Sequence, residues 1–136
     1  MDKIYSRCEP GALLHMVFRK AEMKAGRQDL VPADQFLQCS ALGLKQGQTF
    51  QAHQHVWKPG PASVIAQESW VVIAGEVKCL FYDVDGKFLE AHTLLPGDTS
   101  FTLRGGHNYE ALLPDTLVYE YKTGPYGGQQ LDKVLI

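Results

Sequence analysis

Strand-length runs of apolar and β-branched residues, cut every few positions by Gly, Pro or Asp, occupy almost all of this 136-residue chain. "FLQCSALGL" (36–44) ends at the turn "KQGQ". "SWVVIAGEVKCLFYD" (69–83) breaks at Ala74-Gly75, and "DVDG" (83–86) is a hairpin signal. "KFLEAHTLL", "TSFTLR", "HNYEALL" and "TLVYEYK" follow, separated by "PGD", "GG" and "PD". "LLHMVFRKAEM" (13–23) reads as a strand, although Leu14, Phe18 and Ala21 also fit helical spacing. "VWKPGPAS" (56–63), with Pro59, Gly60 and Pro61, reads as a loop. No long helix interrupts the series, which argues against a βαβ fold and a helix-turn-helix module. Short strands joined by tight turns predict an all-β antiparallel sandwich or barrel.

Length and charge narrow the class. A chain of 136 residues is one domain, 1–136, able to bury a core without a disulfide or structural metal. A net charge of −2 and no basic run give no pull toward nucleic acid. No apolar run approaches the roughly 20 residues of a membrane span. "MDKIYSRCEPG" lacks the apolar stretch of a signal peptide. Cys8, Cys39 and Cys79 are far apart and form no CxxC pair, so a reducing cytoplasm is expected and Cys79, in "EVKCLFY", is expected to be a small buried residue.

The chemistry concentrates in "FQAHQH". On a strand alternate side chains share a face, so His53 and His55 point the same way, with Cβ atoms about 7 Å apart across two rises of roughly 3.3 Å. Two imidazoles can converge on one ion from there, and imidazole suits Zn, Fe, Ni and Cu while a carboxylate adds affinity for harder ions such as Mn. Alone, an HxH pair is equally consistent with a polar strand face. Glu68 can reach the same point if it opens a strand crossing that of the histidines. His107 opens another strand after Gly105-Gly106.

The set resembles the cupins. Their first motif, G-x5-HxH…E-x6-G, reads here as Gly47, "QTFQA", His53-Gln54-His55, a spacer, Glu68, "SWVVIA", Gly75. Their second, P-x-G and a short strand to a histidine, reads as Pro96-Gly97-Asp98, "TSFTLRGG", His107. The motif region spans about 47–110. The spacer "VWKPGPASVIAQ" is longer than the pattern usually allows, and P-x-G is compressed to Pro96-Gly97. The resemblance implies a jelly-roll β-barrel of roughly six to eight strands. It implies one divalent metal (Fe, Mn, Ni, Zn or Co) held by His53, His55, His107 and Glu68. A narrower likeness, "GEVKCLFYDVDGKFLEAHTLLPGD…HNYEALLPDTLVYEYKTGPYGG", is to small cupins associated with bacterial surface-polysaccharide synthesis.

Other residues follow by parity. Tyr109 shares a face with His107 and is a candidate catalytic residue, as is Glu68 acting as general base in place of ligand. Trp70 and Val72 share Glu68's face. Tyr119 and Tyr121 are expected to pack inside the barrel. Gln51 is a candidate hydrogen-bond partner for the imidazoles. His15 and His92 read as exposed strand residues, and Trp57 as a loop anchor or rim residue. Arg104 is the nearest cation to the expected site, with Lys58 behind it. Three functions compete: a metal-dependent isomerase or dioxygenase acting on a sugar or organic acid, a non-catalytic small-ligand binding or sensing cupin, and a structural subunit. The apolar N-terminal strand suggests a homodimer.

Overall fold

A computed structural model describes residues 1–6, 8–58 and 64–136. The expected loop residues Pro59, Gly60 and Pro61 lie outside the described residues. The chain forms β1 (Asp2–Tyr5), β2 (Leu13–Val17), β3 (Gly26–Asp29), β4 (Leu37–Leu44), β5 (His53–His55), β6 (Trp57–Lys58) and β7 (Val64–Ile65). It continues as β8 (Glu68–Ala74), β9 (Val77–Tyr82), β10 (Phe88–Leu94), β11 (Thr99–Thr102), β12 (Gly106–Ala111), β13 (Thr116–Thr123) and β14 (Lys133–Leu135). A single helical turn, α1 (Gln129–Asp132), precedes β14. The segment expected to be one strand at 13–23 divides into β2 and a 3-10 turn at Lys20–Glu22. Among the described residues no helix is long and apolar enough to cross a membrane.

Ten strands make two antiparallel sheets. One runs β10-β9-β12-β5-β14 and the other β11-β8-β13-β4-β3. β1–β2 and β6–β7 are separate hairpins. The jelly roll expected from the sequence is formed, as two facing sheets whose edge strands do not pair with each other. The turn at Pro96-Gly97 carries the chain from β10, at one sheet's edge, to β11, at the other's, without pairing the two. His92 lies on the exposed edge strand β10 and His15 is exposed on β2, both as expected.

The space between the sheets has an apolar end and a polar end. Leu42, Leu44, Trp70, Val72 and Val118 from one sheet pack with Val77, Cys79, Tyr109 and Ala111 from the other. Alternation puts every second residue inward, and four strands then change character along their length. β8 goes from Val72 and Trp70 to Glu68, β12 from Ala111 and Tyr109 to His107, β13 from Val118 to Glu120, and β4 from Leu42 to Ser40; all are buried. The apolar end supplies the burial that holds the sheets together. The polar end is thereby kept in place at the other side of the same core.

The same alternation corrects one expectation. The inward face of β13 carries Thr116, Val118 and Glu120, so Tyr119 and Tyr121 lie on the outer face, Tyr121 exposed and Tyr119 half-buried. There Tyr119 meets Phe18 edge-to-face at 6.4 Å.

Gly75 turns β8 into β9 with φ of 79°, and a Cβ there would collide with the side chain and backbone of Thr116. Gly75→Ala is expected to lower stability by roughly 1–3 kcal/mol, through left-handed strain together with this overlap. Urea unfolding measures it, and an unchanged midpoint with unchanged slope would contradict the close approach.

Candidate metal centre

β5 and β12 are hydrogen-bonded neighbours, with His53 directly opposite His107. Sheet pairing thus places the third imidazole beside the HxH pair: ring centroids are 4.6 Å apart for His53–His107 and 5.5 Å for His55–His107. Glu68 reaches them from the first residue of β8, in the facing sheet. The twelve-residue spacer between His55 and Glu68 does not displace it, because part of that spacer folds back on itself as the β6–β7 hairpin. One donor atom from each of His53, His55, Glu68 and His107 lies within 4.8 Å of the others, and all four residues are buried.

The carboxylate of Glu68 organises the group. Its Oε2 accepts from His55 Nε2 at 3.2 Å and its Oε1 from the indole N–H of Trp70 at 3.0 Å. His107 Nε2 is 3.2 Å from Oε1. Burial works against the charge of Glu68, but His107 and His55 outweigh it and hold the carboxyl well below the usual carboxylate range.

Each HxH imidazole is anchored from behind. His53 Nδ1 lies 2.9 Å from the backbone carbonyl of Gln51, which requires an N–H at that nitrogen and leaves the Nε2 lone pair facing the site. Gln51 is thus the partner expected, but through its main chain. His55 Nδ1 is 3.1 Å from Asp132 Oδ2 and 3.3 Å from the Asp132 carbonyl. Asp132 is fully buried at the end of α1 and is also paired with Lys58 at 3.0 Å and Lys122 at 3.3 Å. It belongs to the site and was not singled out from the sequence. A lone acid inside the apolar tail "LDKVLI" was the available signal, but only the return of β14 beside β5 brings it to His55.

His107 provides the test of whether an ion fits. The residue is completely buried, yet neither ring nitrogen has hydrogen-bond geometry to any partner; the 3.2 Å approach to Glu68 is close in distance and poorly aligned. A buried polar atom without a partner is costly. A divalent ion shared with Glu68 would satisfy Nε2, and three neutral imidazoles with one carboxylate are a common donor set for such ions. The residues present fit a metal.

Above these ligands opens a cavity of about 460 Å³. Trp70 and Tyr109, stacked at 4.0 Å, form part of its wall. The Tyr109 hydroxyl is 3.2 Å from Ser100 Oγ, and burial, helped by the charge of Glu68, raises its pKa so that it keeps its proton. Arg104 is exposed and does not line the cavity. Its place is taken by Arg27, Lys122 and Lys133, on β3, β13 and β14, which the sequence alone did not bring together. Arg27 is held by Glu120 at 2.8 and 3.1 Å and by Asp29 at 2.7 Å. Lys133 Nζ donates to His53 Nε2 at 3.4 Å, and burial lowers its pKa.

No protein-family profile matches the chain. No curated protein matches it either. Solved structures do. KdgF from Halomonas sp. superposes with a TM-score of 0.54 at 20% identity, covering 90% of this chain and 87% of that one. An uncharacterised protein with a double-stranded β-helix domain from Klebsiella pneumoniae gives 0.58 at 16%, covering 86% and 88%. The capsular polysaccharide assembling protein CapF from Staphylococcus aureus gives 0.62 at 18%, covering 81% of this chain but 31% of CapF, so this chain corresponds to about a third of that protein.

The metal-free protein has opposed titrations at its two HxH imidazoles. Burial opposes the charge on His55, but Asp132 and Glu68 raise its pKa to about 9; burial lowers that of His53 to about 4 despite the Gln51 carbonyl. The His55 contribution to stability is full below the unfolded value of about 6.5 and is lost as pH rises through about 9. His53 favours the neutral form, so stability falls as pH drops from about 6.5 toward 4. Thermal melts of chelator-stripped protein are expected to peak near pH 6.5, and His55→Ala should flatten the alkaline limb. A melting temperature constant from pH 6.5 to 9 in the unmutated chain contradicts this charge arrangement.

Two facing antiparallel sheets, the HxH strand, and the structural matches together give this chain the cupin fold, a double-stranded β-helix.

Proposed function

We propose that this chain is a metal-dependent enzyme acting on a small molecule, with His53, His55, His107 and Glu68 holding one divalent ion at the floor of the cavity. The observation that carries the reading is the fully buried His107, whose two ring nitrogens lack partners among four convergent donors. An ion bound there supplies Lewis acidity toward a substrate carbonyl or hydroxyl oxygen, which suits an isomerase or a dioxygenase. Fe, Mn, Ni, Zn and Co all accept this donor set.

The chain's own residues have distinct parts in this reading. The Gln51 carbonyl and Asp132 fix the orientation of His53 and His55. Glu68, with one oxygen bonded by His55 and the other by the Trp70 indole and with its pKa lowered, is a poor base, which supports the ligand role over the general-base role. Tyr109 keeps its proton and is the candidate donor, its hydroxyl held by Ser100. The apolar stack of Trp70 and Tyr109 keeps water from one side of the cavity. CapF, named for capsular polysaccharide assembly, supports a sugar-derived substrate over other small molecules.

One observation favours a second reading. Lys133 Nζ stands at the His53 lone pair, where an ammonium can take the place of an ion. A cupin built that way binds or senses a small ligand without metal or chemistry.

Elemental analysis of the purified protein decides between them. The enzyme reading expects about one ion per chain, reduced roughly tenfold or more in His53→Ala and His107→Ala, with turnover lost in parallel. A chain purified without metal that takes up none at micromolar ion sinks it. A ligand-induced rise in melting temperature that persists in chelator then supports the binding module.

A further inference from the structure

We infer that the cavity receives a small hydroxy acid whose carboxylate is bound by Lys133; the inference rests on the metal reading above. Lys133 lies directly opposite His55 in the β14–β5 pair, and its half-buried side chain lines the cavity. Among the described residues its ammonium makes no ion pair. Its polar contact is His53 Nε2 at 3.4 Å. The neighbouring cations each have a carboxylate partner: Arg27 has Glu120 and Asp29, and Lys58 and Lys122 share Asp132.

An ion on His53 Nε2 takes the lone pair that Lys133 uses. The ammonium is then left half-buried beside a second positive charge, an arrangement that favours an incoming anion. The charge count agrees. Arg27, Lys58, Lys122 and Lys133 balance Asp29, Glu68, Glu120 and Asp132, so a divalent ion leaves the cavity and the wall behind it with two surplus positive charges.

The surplus fits a carboxylate better than a phosphate. One free ammonium next to the ion can satisfy two carboxylate oxygens. A phosphate presents more oxygens, and among the described residues no Gly-rich loop opening a long helix lines the cavity, while Lys133 is the lining cation without an ion pair. The remaining wall carries the side chains of Gln51 and Gln129 and the Tyr126 hydroxyl, which make no hydrogen bond among the described residues and suit hydroxyls. A volume of about 460 Å³ lies in the range of small-molecule sites.

The test uses the full chain loaded with Mn²⁺ or Zn²⁺, its ion content verified, and isothermal titration with matched compounds. Glycerol, glycerate and glycerol 3-phosphate form one set, and threitol and tartrate a second. The acids are expected to bind about tenfold tighter than the alcohols, the margin of one charge-assisted hydrogen bond. Lys133→Met should erase that margin with ion content and melting temperature kept, and Lys133→Arg should restore part of it. Glycerol 3-phosphate outranking both carboxylates overturns the assignment in favour of a phosphate site. Equal affinity of acids and alcohols, no binding of either, or a margin that survives in Lys133→Met also overturns it. Failure of the unmutated chain to take up the ion is a different result, visible before any acid is added; it removes the metal reading and this inference with it.

Discussion

The buried carboxylate of Glu68 is the interaction on which the rest of the polar end depends. It is the group's one acceptor-only side chain, and it arrives from the opposite sheet to the three histidines. Its contacts with His55 and His107 tie the two sheets together at the end where no apolar core exists, and Trp70, on its own strand, holds the carboxylate in place. A buried pair of this kind contributes little net stability, because desolvation offsets the attraction. Its physical effect is to fix geometry: without Glu68 the three imidazoles would face each other with no carboxylate between them, Asp132 lying behind His55. The apolar core at the other end supplies the stability that lets this arrangement persist.

Behind the ligands lies a layer that matters as much as the ligands themselves. Asp132 is fully buried and meets His55, Lys58 and Lys122. Burial opposes its charge, but His55, Lys58 and Lys122 keep its carboxyl far below the usual carboxylate range, so it remains a fixed anion under His55. The C-terminal segment thus closes the site twice, with Asp132 at the end of α1 from behind and Lys133 at the start of β14 from the cavity side. The two are consecutive in the chain, and the antiparallel pairing of β14 with the HxH strand brings both to His55 and His53.

How much of this was legible in the sequence follows from the range of the interactions. Period-two alternation is local, so the shared face of His53 and His55, the inward set Glu68-Trp70-Val72, and Tyr109 beside His107 were all readable from spacing. The cupin motifs then added His107 and Glu68 to the pair. What alternation cannot decide is which of two faces is inward when both are mixed. On β13 the aromatic Tyr119 and Tyr121 looked like core, but Val118 and Glu120 face the interior. Glu120 is inward because it meets Arg27 from β3, a partner 93 residues away. The cations of the cavity were invisible for the same reason: Arg27, Lys122 and Lys133 are brought together by sheet order and not by spacing. Strand count and turn length pointed to the jelly roll, which is formed, but do not say whether its edge strands meet.

The central claim is that these four side chains are one metal site. Anomalous scattering from crystals grown with the ion present, collected on either side of its absorption edge, tests it most directly. The account predicts a single strong peak bounded by the Nε2 atoms of His53, His55 and His107 and a carboxylate oxygen of Glu68, at about 2.0–2.2 Å from each. A cavity without a peak at saturating ion, with Lys133 still seated on His53, would contradict it.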